Sequence, residues 1–112
     1  MSMGECIFCK IANGEFNTDF LYEDDLVVAF RDIEPQAPDH ILIIPRDHYI
    51  SIKDISDEAI IGRLFLAGNK VVEQLGISSF RYVINTGKDA GQAVFHIHLH
   101  LLAGRKMGWP PG

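Results

Sequence analysis

Three histidines stand at alternate positions near the C-terminal end of the chain, in the stretch AVFHIHLHLLAG that covers residues 93–104. They are His96, His98 and His100, and the residues between them are aliphatic. A neutral imidazole can ligate a metal ion, exchange a proton near pH 7, or attack an electrophile. The residue types therefore leave two chemical interpretations open, a metal site and histidine-based nucleophilic catalysis.

The spacing of these histidines is that of a β-strand, in which alternate side chains point to opposite faces. A strand over residues 96–102 places the three imidazoles on one outer or cleft-lining face. It places Ile97, Leu99 and Leu101 in the core. A polar strand face that happens to consist of histidine is the ordinary alternative. It is the weaker one here, because histidine is uncommon and other polar residues would serve.

A loop with two glycines, GKDAGQ at residues 87–92, precedes the histidine segment. Glycine allows backbone N–H groups to turn toward an anion, so such a loop can hold a phosphate. On its own the loop is equally well an ordinary turn. Beside a row of histidines it favours phosphoryl or nucleotidyl transfer.

The two cysteines, Cys6 and Cys9, form a C-x-x-C pair. In an intracellular chain such a pair indicates metal binding or redox chemistry more than a structural disulfide. A redox pair is disfavoured because no thioredoxin-like strand–helix context surrounds it. Two unpaired core thiols remain the ordinary alternative.

The composition is that of one globular domain: 112 residues, 47% hydrophobic, 22% charged, with a formal net charge of -5. Nucleic-acid binding is not expected, because the chain has no run of Lys or Arg, but small phosphorylated ligands fit. Neither a signal peptide nor a membrane-spanning segment is predicted, so we expect a cytoplasmic protein. A domain this small gains from a bound metal or a partner subunit.

Periodicity and turn residues predict the elements that position these groups. The predicted elements are a short helix over residues 5–13, strands over 20–25, 27–32, 41–45, 80–85 and 96–102, a long helix over 57–75, and loops over 34–40 and 86–92. The long helix has Ser56 as N-cap and ends at Gly76. We expect an α+β fold: a five-stranded, mostly antiparallel sheet with both helices packed on one side.

The two ends of the chain are predicted to lack regular structure. Residues 1–4 are expected to be disordered, and the tail GRKMGWPPG at 104–112 contains Pro110-Pro111, which donates no backbone hydrogen bond. His40, at the start of the strand over 41–45, is expected to have a structural, hydrogen-bonded role.

The segment H-I-H-L-H-L-L at 96–102 matches the signature of the histidine triad superfamily, three histidines separated by apolar residues. The segments FRDIEPQAPDHILIIPRDHY (30–49), INTGKDAGQ (84–92) and the ending GWPPG resemble its Hint branch, the nucleoside phosphoramidate hydrolases. The resemblance runs from about Cys6 to Gly112. It implies the same fold, with two five-stranded sheets joined into a ten-stranded sheet in a homodimer.

The resemblance implies a role for each catalytic histidine. His98 attacks the α-phosphorus of a purine nucleoside 5′-phosphoramidate and expels an amine, and water then releases the nucleoside monophosphate. His100 contacts the phosphate oxygens. His96 and His48 lie near the departing amine.

The resemblance also implies a binding site for a small purine nucleotide, with no organic cofactor. The carboxylate of Asp32 holds the ribose hydroxyls. An apolar slot for the purine ring consists of Ile7, Phe8, Ile11, Phe30 and Ile33. The phosphate side consists of Asn85, Gln92 and the backbone of Ala93 and Val94. Trp109 closes over the amine portion, and the tail at 103–112 reaches the dimer interface and active site.

Two features qualify this assignment. Several Hint-type proteins have a serine where this chain has Ala93, so a leaving-group proton has to come from a histidine, water or the amine itself. Cys6, Cys9, His48 and His96 have the composition of a closed structural zinc site. If zinc is bound there, His96 is a ligand and cannot also donate the proton.

Three other functions remain open. A Fhit-like hydrolase would cleave dinucleoside polyphosphates. A purine-nucleotide-binding regulatory or scaffold protein would bind without turnover, and a metal-handling protein would show nucleotide affinity that does not depend on Asp32 or His98.

Overall fold

A computed structural model describes residues 5–112, so the predicted disorder of residues 1–4 lies outside the described part of the chain. Its elements are helix α1 (Ile7–Ala12), strands β1 (Tyr22–Glu23), β2 (Val27–Arg31) and β3 (Asp39–Pro45), helix α2 (Glu58–Leu75), and strands β4 (Phe80–Val83) and β5 (Leu99–Ala103). Two short 3-10 turns, Ile52–Asp54 and Lys88–Ala90, were not predicted. No helix in residues 5–112 is long and apolar enough to cross a membrane.

The five strands form one sheet in the order β1-β2-β3-β5-β4, and every neighbouring pair is antiparallel. This confirms the predicted α+β fold with a five-stranded sheet, one short helix and one long helix. The strand that follows the histidines, β5, pairs with β3 and β4 on its two sides, so it lies inside the sheet.

The two helices pack on opposite faces of the sheet, and the prediction that both pack on one side is wrong. Alternate residues of β2 and β3 belong to two separate cores. Val27, Ala29, Ile41 and Ile43 pack with α2, and Val28, Phe30, Leu42 and Ile44 pack with α1. The continuous apolar runs VVAF and ILII are the reason, because a strand that is apolar on both faces needs cover on both.

Helix α2 begins one residue later than predicted. Its N-cap is Asp57, whose carboxylate accepts a hydrogen bond of 2.9 Å from the N–H of Ala59, and not Ser56. At the other end Gly76 has a φ of 66°, the left-handed conformation that glycine adopts at low cost, as predicted. Gly68 faces the sheet, where a Cβ would lie 2.5 Å from the hydroxyl of Tyr82.

Four predicted strands are shorter in the structure. β1 has two residues, β2 five and β4 four, where six were expected for each, and β5 begins at Leu99 instead of residue 96. Residues 96–98 run beside the segment that follows β3, where the N–H of Ile97 donates 2.8 Å to the carbonyl of Tyr49. Ile97, Leu99 and Leu101 are buried in the α2 core, as predicted.

Asp24 connects the β1–β2 turn with α2. Its carboxylate accepts the N–H groups of Leu26 and Val27 at 2.7 and 2.8 Å, and the Tyr22 hydroxyl and the Arg63 guanidinium at 2.7 Å each. Burial by itself raises the pKa of Asp24, but these four hydrogen bonds outweigh it and hold the pKa at about 2. The ionised form is therefore the one the fold stabilises.

We expect Asp24→Asn to lower the free energy of unfolding by about 2 kcal/mol at pH 7, because a carboxyl pKa held below its unfolded value stabilises the folded state. This contribution is complete above the unfolded pKa of 3.8 and disappears as the pH falls toward about 2. Urea unfolding of wild type and variant at pH 7 and pH 2 measures it. An equal difference at both pH values would contradict the electrostatic explanation.

Candidate active site

A pocket of about 350 Å³ opens between α1, the end of β2 and the residues around β5. Its lining consists of Ile7, Phe8, Ile11, Thr18, Phe30, Arg31, Asp32, Ile33, Glu34, Leu42, Gly91, Ala93, Val94, His98 and His100. A larger groove of about 630 Å³ along residues 14–23 is more open and is lined by neither histidine nor cysteine. The smaller pocket therefore contains the reactive side chains.

One side of this pocket is an apolar slot. Ile7, Phe8 and Ile11 project from α1, and Phe30 and Ile33 lie at the end of β2 and in the loop after it. Phe8 packs edge-on against Phe30, with ring centroids 6.0 Å apart. These are the five residues predicted for the purine slot, and the structure places all of them in the pocket.

The polar side of the pocket begins with Asp32. One carboxylate oxygen accepts the N–H of Glu34 at 2.9 Å, and the other lies 3.4 Å from Nε2 of His40. These contacts hold the carboxylate beside the apolar slot. A carboxylate in this position can accept hydrogen bonds from a vicinal diol.

His98 presents a free nitrogen lone pair to the pocket. Its Nδ1 lies 2.9 Å from the carbonyl oxygen of His96, and because a carbonyl only accepts, Nδ1 carries the proton. Burial lowers the pKa of His98, so the ring is neutral near pH 7 and Nε2 keeps its lone pair. Phe8 packs edge-on against the ring at 5.1 Å, which restricts its rotation.

His100 presents the opposite function, an N–H donor. The N–H of Gln36 donates 2.9 Å to Nδ1 of His40, so the proton of neutral His40 is on Nε2. This Nε2–H of His40 lies 2.9 Å from Nδ1 of His100 and donates to it. Because Nδ1 of His100 accepts, the proton of the neutral His100 ring is on Nε2. This atom is buried and has no partner within residues 5–112. Burial lowers the pKa of His100 to about 4, so the ring is neutral.

The two imidazoles together can stabilise a displacement reaction at a tetrahedral centre. Their ring centroids are 4.8 Å apart, so the lone pair of His98 and the N–H of His100 can address neighbouring atoms of one group. A nucleophile beside a fixed donor is the arrangement that stabilises charge developing on an oxygen during attack.

A second cluster lies behind the pocket. Nδ1 of His96 is 3.3 Å from Sγ of Cys6 and 3.5 Å from Sγ of Cys9, and Nδ1 of His48 is 3.3 Å from Sγ of Cys9. All four ligand atoms lie within 4.8 Å of one another. Burial, followed by the hydrogen bond with Cys6, raises the pKa of the Cys9 thiol to about 11, so metal binding would displace its proton.

This cluster fits a tetrahedral metal ion. Zinc–sulfur bonds of about 2.3 Å and zinc–nitrogen bonds of about 2.0 Å at tetrahedral angles separate S from N by about 3.5 Å. The three S···N distances above are 3.3 to 3.5 Å. The other nitrogen of His96 donates 2.9 Å to the carbonyl of Pro45, which leaves Nδ1 free to ligate. The cluster could therefore bind a metal.

A second set of potential ligands, Asp32, His40 and His100, does not fit a metal in the same way. Nδ1 of His40 already accepts a backbone N–H, so its Nε2 is protonated and offers no lone pair. The two sets are thus chemically distinct, a hydrogen-bond relay in the pocket and, behind it, a Cys2His2 set that could bind a metal.

The sequence model described as HIT domain matches residues 13–107. The chain belongs to the HIT domain family. It is 48% identical over 108 residues to the purine nucleoside phosphoramidase of Escherichia coli K12, covering 93% of this chain and 91% of that protein. It is 47% identical over 111 residues to an uncharacterised HIT-like protein of Synechocystis, covering 96% and 97% of the two chains.

Solved structures share the fold. A HIT family hydrolase from Legionella pneumophila superposes with a TM-score of 0.91 at 46% identity, covering 96% of this chain and 100% of that chain. A histidine triad protein from Clostridium difficile superposes with a TM-score of 0.89 at 46% identity, covering 96% and 97%.

Two of the predicted catalytic residues of this HIT domain do not line the pocket. His96 is fully buried, with one nitrogen bonded to Pro45 and the other directed at the cysteines. Nδ1 of His48 is directed at Cys9. The geometry gives no support to the predicted contact of either imidazole with a departing amine, because both belong to the Cys2His2 set.

Three of the predicted substrate-binding residues also lie outside the pocket lining. Gln92 is buried, and its amide accepts from the N–H of Gly87 and donates to the carbonyls of Ile50 and Val94, so it supports the loop from within. The side chain of Asn85 lies next to Gly91: a Cβ atom placed on Gly91 would be 3.5 Å from the amide nitrogen of Asn85. Trp109 is 83% exposed in the C-terminal tail.

Some residues of the site were missed by sequence reasoning. Thr18, Arg31, Glu34 and Leu42 line the pocket without having been assigned, whereas Gly91 belongs to the loop that was predicted to hold a phosphate. Leu42 could have been found, because it pairs with Phe30 across β2 and β3 and shares its face. The hydrogen-bonded role predicted for His40 is confirmed, but nothing in the sequence indicated that its partner is His100.

We expect His100 to be neutral at pH 7 with its proton on Nε2, because His40 donates to its Nδ1. Long-range 1H–15N correlation spectra of labelled protein report the tautomer of each ring. In His40→Phe the donor is removed, and His100 is expected to become a mixture of tautomers. A proton on Nδ1 of His100 in the wild type would contradict the relay.

Proposed function

We propose that this HIT domain hydrolyses purine nucleoside 5′-phosphoramidates through a nucleotidyl intermediate on His98. The observation that carries the proposal is the hydrogen bond of 2.9 Å from Nδ1–H of His98 to the carbonyl of His96, which leaves Nε2 unprotonated in the pocket. The Escherichia coli relative, at 48% identity, is a purine nucleoside phosphoramidase, and this likeness supports the proposal.

Substrate binding follows the chemistry of the pocket walls. The purine ring enters the apolar slot between α1 and the end of β2, where Phe8 and Phe30 offer aromatic surface. The ribose hydroxyls donate to Asp32. The α-phosphoryl group then lies against His98 and His100, beside the backbone of Ala93 and Val94.

The first chemical step forms an N–P bond and breaks another. Nε2 of His98 attacks the α-phosphorus with its lone pair, and the electron pair of the breaking P–N bond leaves with the amine, which takes a proton from solvent water; the water consumed in the second step returns one proton to solvent. Nε2–H of His100 donates to a phosphoryl oxygen as the negative charge there increases. The carbonyl of His96 stabilises the positive charge that develops on the His98 ring through its bond with Nδ1–H.

The second step releases the product. Water attacks the phosphorus of the nucleotidyl-imidazole, the bond to Nε2 breaks, and neutral His98 is restored. The sum is one phosphoramidate and one water converted into a nucleoside monophosphate and an amine. A neutral imidazole suits both steps, because it is a nucleophile near pH 7 and a leaving group in the intermediate.

We expect His98→Ala to lower hydrolysis of adenosine 5′-phosphoramidate at least about a thousandfold while adenosine monophosphate still binds, because the variant loses the nucleophile but keeps the slot and Asp32. Steady-state kinetics and calorimetry measure the two quantities. His100→Ala is the matched comparison. It should weaken both hydrolysis and adenosine monophosphate binding, since the N–H of His100 contacts the phosphate before and during the reaction. Turnover that persists in His98→Ala would overturn the proposal and favour another nucleophile or a different activity.

Ala93 lines the pocket next to the histidines but has no side-chain donor. We expect Ala93→Ser to raise turnover about tenfold for substrates with a basic alkylamine leaving group, because a hydroxyl there can protonate the amine as it departs. For an aniline leaving group, which needs less protonation, the gain should be smaller. The absence of any gain with the alkylamine substrate would contradict the assignment of this position to leaving-group protonation.

We further propose that Cys6, Cys9, His48 and His96 hold a structural zinc ion. The S···N distances and the hydrogen bond from Nε2 of His96 to the carbonyl of Pro45 support this donor set. With four protein ligands the ion has no open position for water or substrate, so it supplies structural support and not reaction chemistry.

We expect about one zinc ion per chain in the purified wild-type protein and none in Cys6→Ser, because four-coordinate structural sites rarely tolerate the loss of a thiolate. Elemental analysis by mass spectrometry measures the stoichiometry. Thermal unfolding before and after chelation shows whether the ion stabilises the fold. A wild-type protein that holds no stoichiometric zinc would contradict the proposal.

We also propose that the chain forms a homodimer through β4. This strand is an edge of the sheet, and Phe80 on it is 40% exposed. Arg81 of the same strand donates 3.0 Å to the carbonyl of Gly108 and holds the tail that carries Trp109 near this edge. An exposed edge with apolar side chains is suited to pairing with a second copy. Sedimentation equilibrium measures the mass of the protein in solution. The mass of two chains would support the dimer, and the mass of one chain would contradict it.

A further inference from the structure

We propose that Cys6 and Cys9 are positioning residues for purine binding, which act through the metal ion that they hold. The inference rests on both the zinc site and the nucleotide site of the proposed function. The sequence of this pair is C-I-F-C, and the two residues between the cysteines, Ile7 and Phe8, both line the purine slot. A metal bound by both thiols therefore fixes the backbone on each side of these two residues.

Helix α1 needs such support because it is very short. It has six residues, Ile7–Ala12, and a helix of this length is not stable by itself in water. Its buried anchors are Phe8 and Ala12, whereas Ile7, which faces the slot, is 47% exposed. Packing alone therefore anchors the helix through Phe8 and Ala12 and leaves Ile7, the first slot residue, weakly held.

The C-terminal end of α1 has a hydrogen-bond anchor of its own. The guanidinium of Arg46 donates 2.9 Å to the carbonyl of Ala12 and 2.7 Å to the carbonyl of Asp24, so this end is bonded to the β1–β2 turn. The structure therefore fixes one end of the helix without any metal.

The N-terminal end depends on the two thiols. Sγ of Cys6 caps the helix by accepting the N–H of Cys9 at 3.4 Å. The same two sulfur atoms face the imidazoles of His48 and His96, which come from the segments after β3 and before β5. A metal at this point joins three segments that are otherwise far apart in the chain.

Phe8 links the metal set to the purine slot directly. Its ring packs edge-on against His96 at 5.9 Å and against His98 at 5.1 Å, and it forms a wall of the slot. A metal that fixes the His96 ring therefore also fixes the surface on which Phe8 rests. Loss of the metal should loosen the purine wall more than His100 on the phosphate side, because the relay through His40 holds His100 separately.

The expected consequence is coupling between metal occupancy and purine affinity. Removal of zinc should weaken adenosine monophosphate binding about tenfold, within the usual range of coupling between sites. Ribose 5-phosphate has no base, and its affinity should stay nearly unchanged. By thermodynamic reciprocity, adenosine monophosphate should raise the zinc affinity by the same factor.

The experiment compares the full chain in its zinc-loaded form with the same protein after chelation and after zinc is restored. Calorimetry gives the affinity for adenosine monophosphate, and chemical-shift titration gives the affinity for ribose 5-phosphate. Circular dichroism shows whether the chelated protein keeps its fold. Cys9→His is the conservative variant: it offers an imidazole in place of the thiolate, and if it holds zinc it should retain the purine affinity that Cys9→Ser loses.

The outcomes separate this inference from the function on which it rests. A purine-specific loss on chelation that zinc reverses supports it. Zinc and adenosine monophosphate that both bind, but independently, overturn the inference alone, and so does an equal loss for both ligands. A protein that holds no zinc, or that binds no adenosine monophosphate when loaded, overturns the corresponding part of the proposed function together with the inference.

Discussion

The hydrogen bond from Nδ1–H of His98 to the carbonyl oxygen of His96 determines which nitrogen faces the pocket. That carbonyl is available because residues 96–98 lie outside the sheet ladder, which β5 joins only at Leu99. The short irregular segment before β5 is therefore part of the chemistry. In a regular strand the carbonyl of His96 would point sideways, toward a neighbouring strand.

His96 occupies the junction between two sites of different character. Its carbonyl orients the ring of His98, its Nε2 bonds to the carbonyl at the end of β3, and its Nδ1 belongs to the Cys2His2 set that could bind a metal. Burial lowers the pKa of His96 to about 4, so the ring is neutral at physiological pH, as a metal ligand must be. The His96 ring does not reach the pocket. It therefore does not have to serve both as a proton donor to substrate and as a metal ligand.

Much of this organisation could be predicted from the sequence, because it depends on local patterns. The five strands, the long helix and the burial of Ile97, Leu99 and Leu101 follow from periodicity, and the resemblance identified most of the pocket residues, from Ile7 to His100. The placement of α1 on the second face was predicted wrongly, although VVAF and ILII are apolar at consecutive positions and so indicate two covered faces.

What could not be predicted depends on contacts between distant residues. The relay from Gln36 through His40 to His100 joins two strands that are adjacent only in the folded sheet. The inward orientation of Gln92 depends on carbonyls of Ile50 and Val94, and no local pattern specifies it. Sequence motifs therefore identify the residues of this site, while the tautomers and roles follow from the tertiary structure.

The central claim is that Nε2 of His98 carries the nucleotidyl group during turnover. The most direct measurement is a crystal structure after a soak with a purine nucleoside phosphoramidate that is hydrolysed slowly. The account predicts continuous density between the α-phosphorus and Nε2 of His98, with a phosphoryl oxygen within hydrogen-bond distance of Nε2 of His100. A covalent adduct on any other residue would contradict it.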